Sequence, residues 1–128
     1  MNAHRYVLLL GSSVAEELLR RAVEALAGAG AVEAVSDVVH GPSVVAGDGR
    51  HFFNMAVRLR SALDRAALLP TIKRIERELG RAPGAAQCAI DIDLAMELDA
   101  HGRVLWEAPD KLAAPLFRRL AGAVRIGR

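Results

Sequence analysis

The period of the apolar residues changes along this chain in an order that few folds accommodate. Residues 5–10 form an apolar run that stops at Gly11-Ser12-Ser13, after which Leu18, Leu19, Ala22, Ala25 and Leu26 fall on one helical face. Residues 32–40 are rich in valine and read as a second strand. Residues 51–60 alternate strictly, with Phe53, Met55, Val57 and Leu59 to one side and Phe52, Asn54, Ala56 and Arg58 to the other. Leu68, Ile72, Ile75 and Leu79 then follow helical spacing up to Gly80. Residues 88–96 return to period two, setting Ile90, Ile92, Leu94 and Met96 against Ala89, Asp91, Asp93 and Ala95. The order β-α-β-β-α-β predicts an α+β ferredoxin-like sandwich, a four-stranded antiparallel sheet with both helices on one face. A short C-terminal extension should add a hairpin near residues 103–106 and a helix from about Pro115.

Local signals refine these elements. Ser13, with Glu16 three residues on, has capping-box spacing, and Gly28 and Gly30 mark the end of the first helix. Asp64 suits the start of the second. Pro70 then lies inside that helix, which requires either a later start or kinked first turns.

A chain of 128 residues can bury roughly two-thirds of its unfolded surface around one core, so residues 1–128 read as a single domain. No run approaches the ~18 to 20 apolar residues needed to cross a bilayer, and the first residues lack a secretory pattern. The lone Cys88 has no partner for an intramolecular disulfide. A cytoplasmic protein without membrane partners is expected. The net charge of +2 is small, but fifteen of the seventeen basic residues are arginine, the side chain best shaped for phosphate or carboxylate.

Two positions carry candidate chemistry. Asp91 and Asp93 project side by side from one strand face, and such a pair repels itself unless a hard cation such as Mg²⁺ intervenes; a merely solvated strand face is the plainer alternative. Asn54 and Phe52 share a face directed away from the expected helices. An amide beside an aromatic ring suits a flat heterocycle, through edge hydrogen bonds and stacking. None of His4, His40, His51 and His101 has a partner at ligand spacing, although His40 and His51 flank one loop. Trp106 should pack under the C-terminal segment.

The run Phe52-Phe53-Asn54-Met55-Ala56-Val57, the helix end Ile75-Glu76-Arg77-Glu78-Leu79-Gly80-Arg81 and the strand Ile90-Asp91-Ile92-Asp93-Leu94 together resemble the pattern of the 6-hydroxymethyl-7,8-dihydropterin pyrophosphokinase family. Gly11-Ser12-Ser13 resembles that family's G-S-N turn, and the match runs in order over residues 5–96. The resemblance implies a ferredoxin-like fold and transfer of pyrophosphate from ATP to a hydroxymethylpterin in folate synthesis. It implies that Asp91 and Asp93 bind two Mg²⁺ ions, that Asn54 and Phe52 bind the pterin, and that Glu76 contacts the nucleotide. ATP and a pterin-like molecule would be the partners. Nucleic acid is not expected: the fold order is shared with RNA-recognition modules, but their aromatic signature is absent and two aspartates beside the platform would repel phosphate. An exposed sheet edge would allow pairing with a second copy.

The chain departs from the family pattern in its basic segments. Residues 82–89 lack the family's tryptophan, and Cys88 stands where the family has an arginine. Asp110 follows Pro109 where the family has P-H, leaving Arg118 and Arg119 as the downstream basic candidates. These departures define a second expectation, a non-catalytic binding or interaction protein on the same scaffold.

Overall fold

The computed structural model describes residues 3–125. Its strands are β1 (His4–Ser12), β2 (Ala31–Val35), β3 (Val39–Pro42), β4 (His51–Ser61), β5 (Asp91–Leu98) and β6 (Val104–Glu107). Its helices are α1 (Glu16–Leu26), α2 (Arg65–Glu78) and α3 (Pro115–Arg125). The strands form one antiparallel sheet in the order β2-β4-β1-β5-β6, with β3 also on β4. The β-α-β-β-α-β order is therefore present, but the expected four strands are six among the described residues. One expected strand is divided, and the hairpin strand β6 joins the sheet edge.

The division lies in residues 32–40. The Ser36 N–H donates to Ala56 O at 2.9 Å, and Ser36 Oγ accepts the Ala56 N–H at 2.8 Å. A side chain thus takes over one rung of the ladder while the backbone bends towards β3.

Each face of the sheet has its own apolar layer. Tyr6, Leu8, Leu10, Met55, Val57 and Leu59 pack with Leu19, Ala22 and Leu26 of α1 and Leu68, Ile72 and Ile75 of α2. Val7, Leu9, Ala56, Ala95, Met96 and Leu98 pack with Leu112 and with Leu120, Ala121 and Val124 of α3. The sheet is consequently covered on both sides, and the C-terminal helix is a structural layer. Met96, expected beside Leu94, belongs to the second layer. β1 opposes Leu8 to Leu94 but Val7 to Met96, so Ala95 is an extra residue that moves Met96 and Leu98 to the other face.

Two other local expectations are corrected. Ser13 does not cap α1: Ser12 Oγ accepts the Val14 and Ala15 N–H groups at 3.1 and 3.3 Å. Asp64 does cap α2, accepting from Ala67 N at 2.9 Å, and the helix runs on through Pro70, whose position is exposed. Water can satisfy the carbonyl of exposed Ala66 that the missing proline N–H leaves free. Trp106 packs against the α1/α2 layer rather than the C-terminal segment, with the Arg65 guanidinium 4.4 Å from its ring.

Candidate active site

Strand register gathers the predicted site residues. Gly11 of β1 opposes Asn54 of β4 on one side and Asp91 of β5 on the other; Leu9 likewise opposes Ala56 and Asp93. With strands about 4.8 Å apart, Asn54 and Asp91 are about 10 Å apart across the glycine. A Cβ on Gly11 would meet Asn54 Oδ1 at 2.9 Å, so the glycine makes room for the amide. Asn54 is only 6% exposed, and it borders the cleft.

Glu76 approaches from the opposite side of the sheet. α2 ends in a Schellman turn, in which Gly80 N donates to Arg77 O at 3.1 Å and Arg81 N donates to Glu76 O at 3.0 Å; Gly80 has φ +102°. That turn returns Arg81 over Glu76. Glu76 is 2% exposed, and its Oε2 accepts the Ile92 N–H at 2.8 Å and the Arg81 guanidinium at 2.7 Å. The Ile92 amide lies where β5 has no outer neighbour, because β6 pairs only from Met96 onward. Glu76 therefore satisfies the end of β5, a role beyond the expected nucleotide contact.

Arg81 Nη1 also donates to Asp91 Oδ1 at 2.7 Å, and Lys111 Nζ lies 3.3 Å from Asp93 Oδ1. Burial, then the neighbouring Asp91 carboxylate, pushes the Asp93 carboxyl up to about 6, against the opposing pull of Lys111. Lys111 is raised in turn, chiefly by Asp93. Each carboxylate is thus paired with a cation that is itself 40% or more exposed, Arg81 being held by Glu76 as well.

These groups border one cleft of about 1060 Å³, which brings together all five predicted residues, Phe52, Asn54, Glu76, Asp91 and Asp93. Its walls include five basic residues, Arg50, Lys73, Arg77, Arg81 and Lys111. The expected substitutes Arg118 and Arg119 do not border it; both are exposed, and Arg118 pairs with Glu107 at 3.4 Å. Phe117, from the first turn of α3, borders it as Phe52 does. Sequence reasoning missed Phe117 and Lys111 because their placement depends on α3 packing on the sheet. His40 and His51 lie on the α1/α2 side, His40 stacked on Phe53 at 4.1 Å, outside the cleft.

Residues 82–89 are tied down by Ser13. Its N–H donates to Cys88 O at 2.9 Å, and its hydroxyl accepts the Cys88 N–H and donates to Gln87 Oε1, both at 2.7 Å. Burial, then Asp91, raises the Cys88 thiol, which stays protonated and unreactive near neutrality.

Among the described residues, no group of three or more His, Cys, Asp or Glu side chains converges on a metal position. The two aspartates nevertheless fit Mg²⁺, which usually takes one or two carboxylates and completes its shell with water and nucleotide phosphates. The raised Asp93 carboxyl marks the unfavourable charge that such a cation would relieve.

The family model described as 7,8-dihydro-6-hydroxymethylpterin-pyrophosphokinase (HPPK) matches residues 7–115, most of the chain. No curated protein matches it. No helix among the described residues is long and apolar enough to cross a membrane.

Proposed function

The chain belongs to the 7,8-dihydro-6-hydroxymethylpterin-pyrophosphokinase family, and from that premise we propose that it transfers pyrophosphate from ATP to the hydroxymethyl group of a reduced pterin in folate synthesis, with Mg²⁺ as the metal. The observation that carries the pterin half is Asn54, an amide 6% exposed at the floor of a cleft beside Gly11. Among the described residues no buried side-chain polar atom lacks a partner, and the Asn54 amide is open to the cleft, where it can donate to and accept from a ligand's edge. Phe52 and Phe117 supply apolar walls for a flat ring.

Asp91 and Asp93 would hold the metal, which when bound neutralises phosphate charge around the reacting centre. The chain's own residues do the rest. With a cation on the carboxylates, Lys111 would be released from Asp93, and Arg81, still held by Glu76, would be left with donors free for the nucleotide's phosphates. Arg50, Lys73 and Arg77 extend the basic border and take the place of the family's missing arginine and P-H segment. Glu76 fixes Arg81 and β5 in position, which supports a positioning role as well as the nucleotide contact suggested by the family pattern. The ferredoxin-like strand order suits this scheme because it places both Asp91 and Asn54 across from Gly11.

AMP release from Mg-ATP and 6-hydroxymethyl-7,8-dihydropterin tests the reading. Wild type should turn over, and Asp91→Asn/Asp93→Asn should lose at least about a hundredfold, as expected when charge stabilisation in the transition state is removed. Pterin and nucleotide binding without AMP release would assign the chain to the non-catalytic alternative. Failure to bind either ligand would overturn the enzyme reading and leave an interaction protein on the same scaffold.

A further inference from the structure

The sheet face that carries Asn54 and Asp93 continues, at the opposite end of β1, into a group of arginines. Register sets Arg5 directly across from Arg60 and Val7 across from Arg58, so three guanidinium groups share one corner. Like charges directly opposed on one face repel. The carboxylate among them is Glu33: Arg5 donates to it through Nε at 2.7 Å and Nη2 at 3.2 Å, Arg58 Nε donates at 3.1 Å, and Arg60 Nε stands 3.8 Å away. Glu33 reaches them because it is the extra residue at the register shift between Val32 and Ala34, a bulge that re-aims its side chain. The Arg5 hydrogen bond, ahead of the other contacts, holds the Glu33 carboxyl below its ordinary range.

Among the described residues Glu33 is the one carboxylate paired with these arginines, which leaves the corner an excess of positive charge, and a cavity of about 210 Å³ opens beside it, lined by Arg5, Glu33, Arg58, His101 and Arg125. The arginines are held in place. Arg125, in the last turn of α3, donates through Nε to Gly102 O at 3.0 Å, and Arg58, whose side chain is 11% exposed, donates through Nη1 to Val124 O at 2.8 Å. Fixed guanidinium groups facing a common space match the oxygens of a tetrahedral or planar oxyanion. At ~30 Å³ per water, the cavity has room for about seven waters. It falls below the ~300 Å³ at which small-molecule pockets begin, too small for a nucleotide or a pterin.

The geometry points to a second anion site, separate from the cleft, that takes one phosphate-sized oxyanion, either free or as the end group of a small phosphomonoester. Glu33 is the internal competitor for that anion: it keeps the arginines together when the site is empty and weakens binding when it fills. This arrangement makes a prediction that a purely structural ion network does not, because removing the acid should tighten anion binding.

The test follows the Nε–Hε resonances of Arg58 and Arg125 in the full chain during titration with inorganic phosphate and, separately, methyl phosphate. Both resonances should shift and saturate with Kd of about 1 mM or tighter. Arg125→Gln, which leaves the Glu33 contacts in place, should weaken binding about tenfold as read at Arg58. Glu33→Gln should tighten it severalfold. Saturation by both ligands assigns a phosphomonoester-competent site, and saturation by inorganic phosphate alone assigns a free-ion site. Absence of saturation, or Kd unchanged in Arg125→Gln, would overturn the proposal and leave a structural ion network. Arg125→Gln decides the matter even where Glu33→Gln fails to fold. The readout is local to this corner and independent of turnover in the cleft.

Discussion

At the level of single residues, the cleft sets ionisation against burial. Asp93 has its carboxyl raised to about 6 by burial and by Asp91, whereas in the unfolded chain it titrates near 4. Between about pH 4 and pH 6 the unfolded state therefore loses this proton while the native state keeps it, so this group's contribution to stability falls as pH rises through that window. Above about 6 the penalty is fully present, on the order of 3 kcal/mol with the opposing pull of Lys111 already included. Asp93→Asn should accordingly raise stability at pH 7 and flatten its decline between pH 4 and pH 6, measured by urea unfolding. In wild type, Mg²⁺ affinity should rise with pH through about 6, because only the carboxylate binds the ion. Gly11 shows the same division between stability and function. Gly11→Ala places a methyl group 2.9 Å from Asn54 Oδ1, a side-chain atom that can move, so stability should change by less than about 1 kcal/mol. The displaced amide should weaken pterin binding about tenfold, read by calorimetry, with nucleotide binding retained.

At the level of elements, the sequence revealed what depends on local period and missed what depends on neighbours. The faces of β4 were legible because eleven residues alternate without interruption beside one partner register. Asp91 could likewise be paired with Asp93, since strand alternation sends both to one face, whereas their meeting with Asn54 depends on the register of β1 with β4 and β5. The split between β2 and β3 was not legible: valines run through both, and the break comes from Ser36 bonding to Ala56, twenty residues away. The bulge at Ala95 was hidden for a similar reason, because Ile90 to Met96 keep perfect alternation in the sequence and only pairing with β1 reveals the extra residue. Lys111 and Phe117 reach the cleft through the docking of α3, which no motif announces. Gly30 offers a test of how strictly these junctions are built. It follows α1, where a Cβ would run into the backbone carbonyl of Arg60, with Ser61 Cα at 3.1 Å. Backbone in a central ladder cannot yield as a side chain can, so Gly30→Ala should cost at least about 3 kcal/mol in chemical denaturation.

At the level of the whole molecule, the consequence is a sheet with two cores. β1 contributes Tyr6, Leu8 and Leu10 to one layer and Val7 and Leu9 to the other, so the same strand holds both together. The cleft lies where these layers meet solvent: β4 and β5 supply the floor, α2 supplies Glu76 and the Arg81 turn, and α3 supplies Phe117. If α3 were a detachable appendage, losing a contact in its layer would loosen that side alone. Leu19, fully buried under α1, and Leu120, 4% exposed under α3, are matched probes of the two layers. Each change to alanine should cost about 2 to 4 kcal/mol. Because both layers share β1, both variants should shift one cooperative transition, with fluorescence of Trp106 on the first layer and far-ultraviolet circular dichroism unfolding together. A Leu120→Ala transition in which dichroism falls before Trp106 fluorescence would show that α3 unfolds separately. The basic border of the cleft would then depend on a layer that can open, and nucleotide affinity in that variant should fall in step with the early phase.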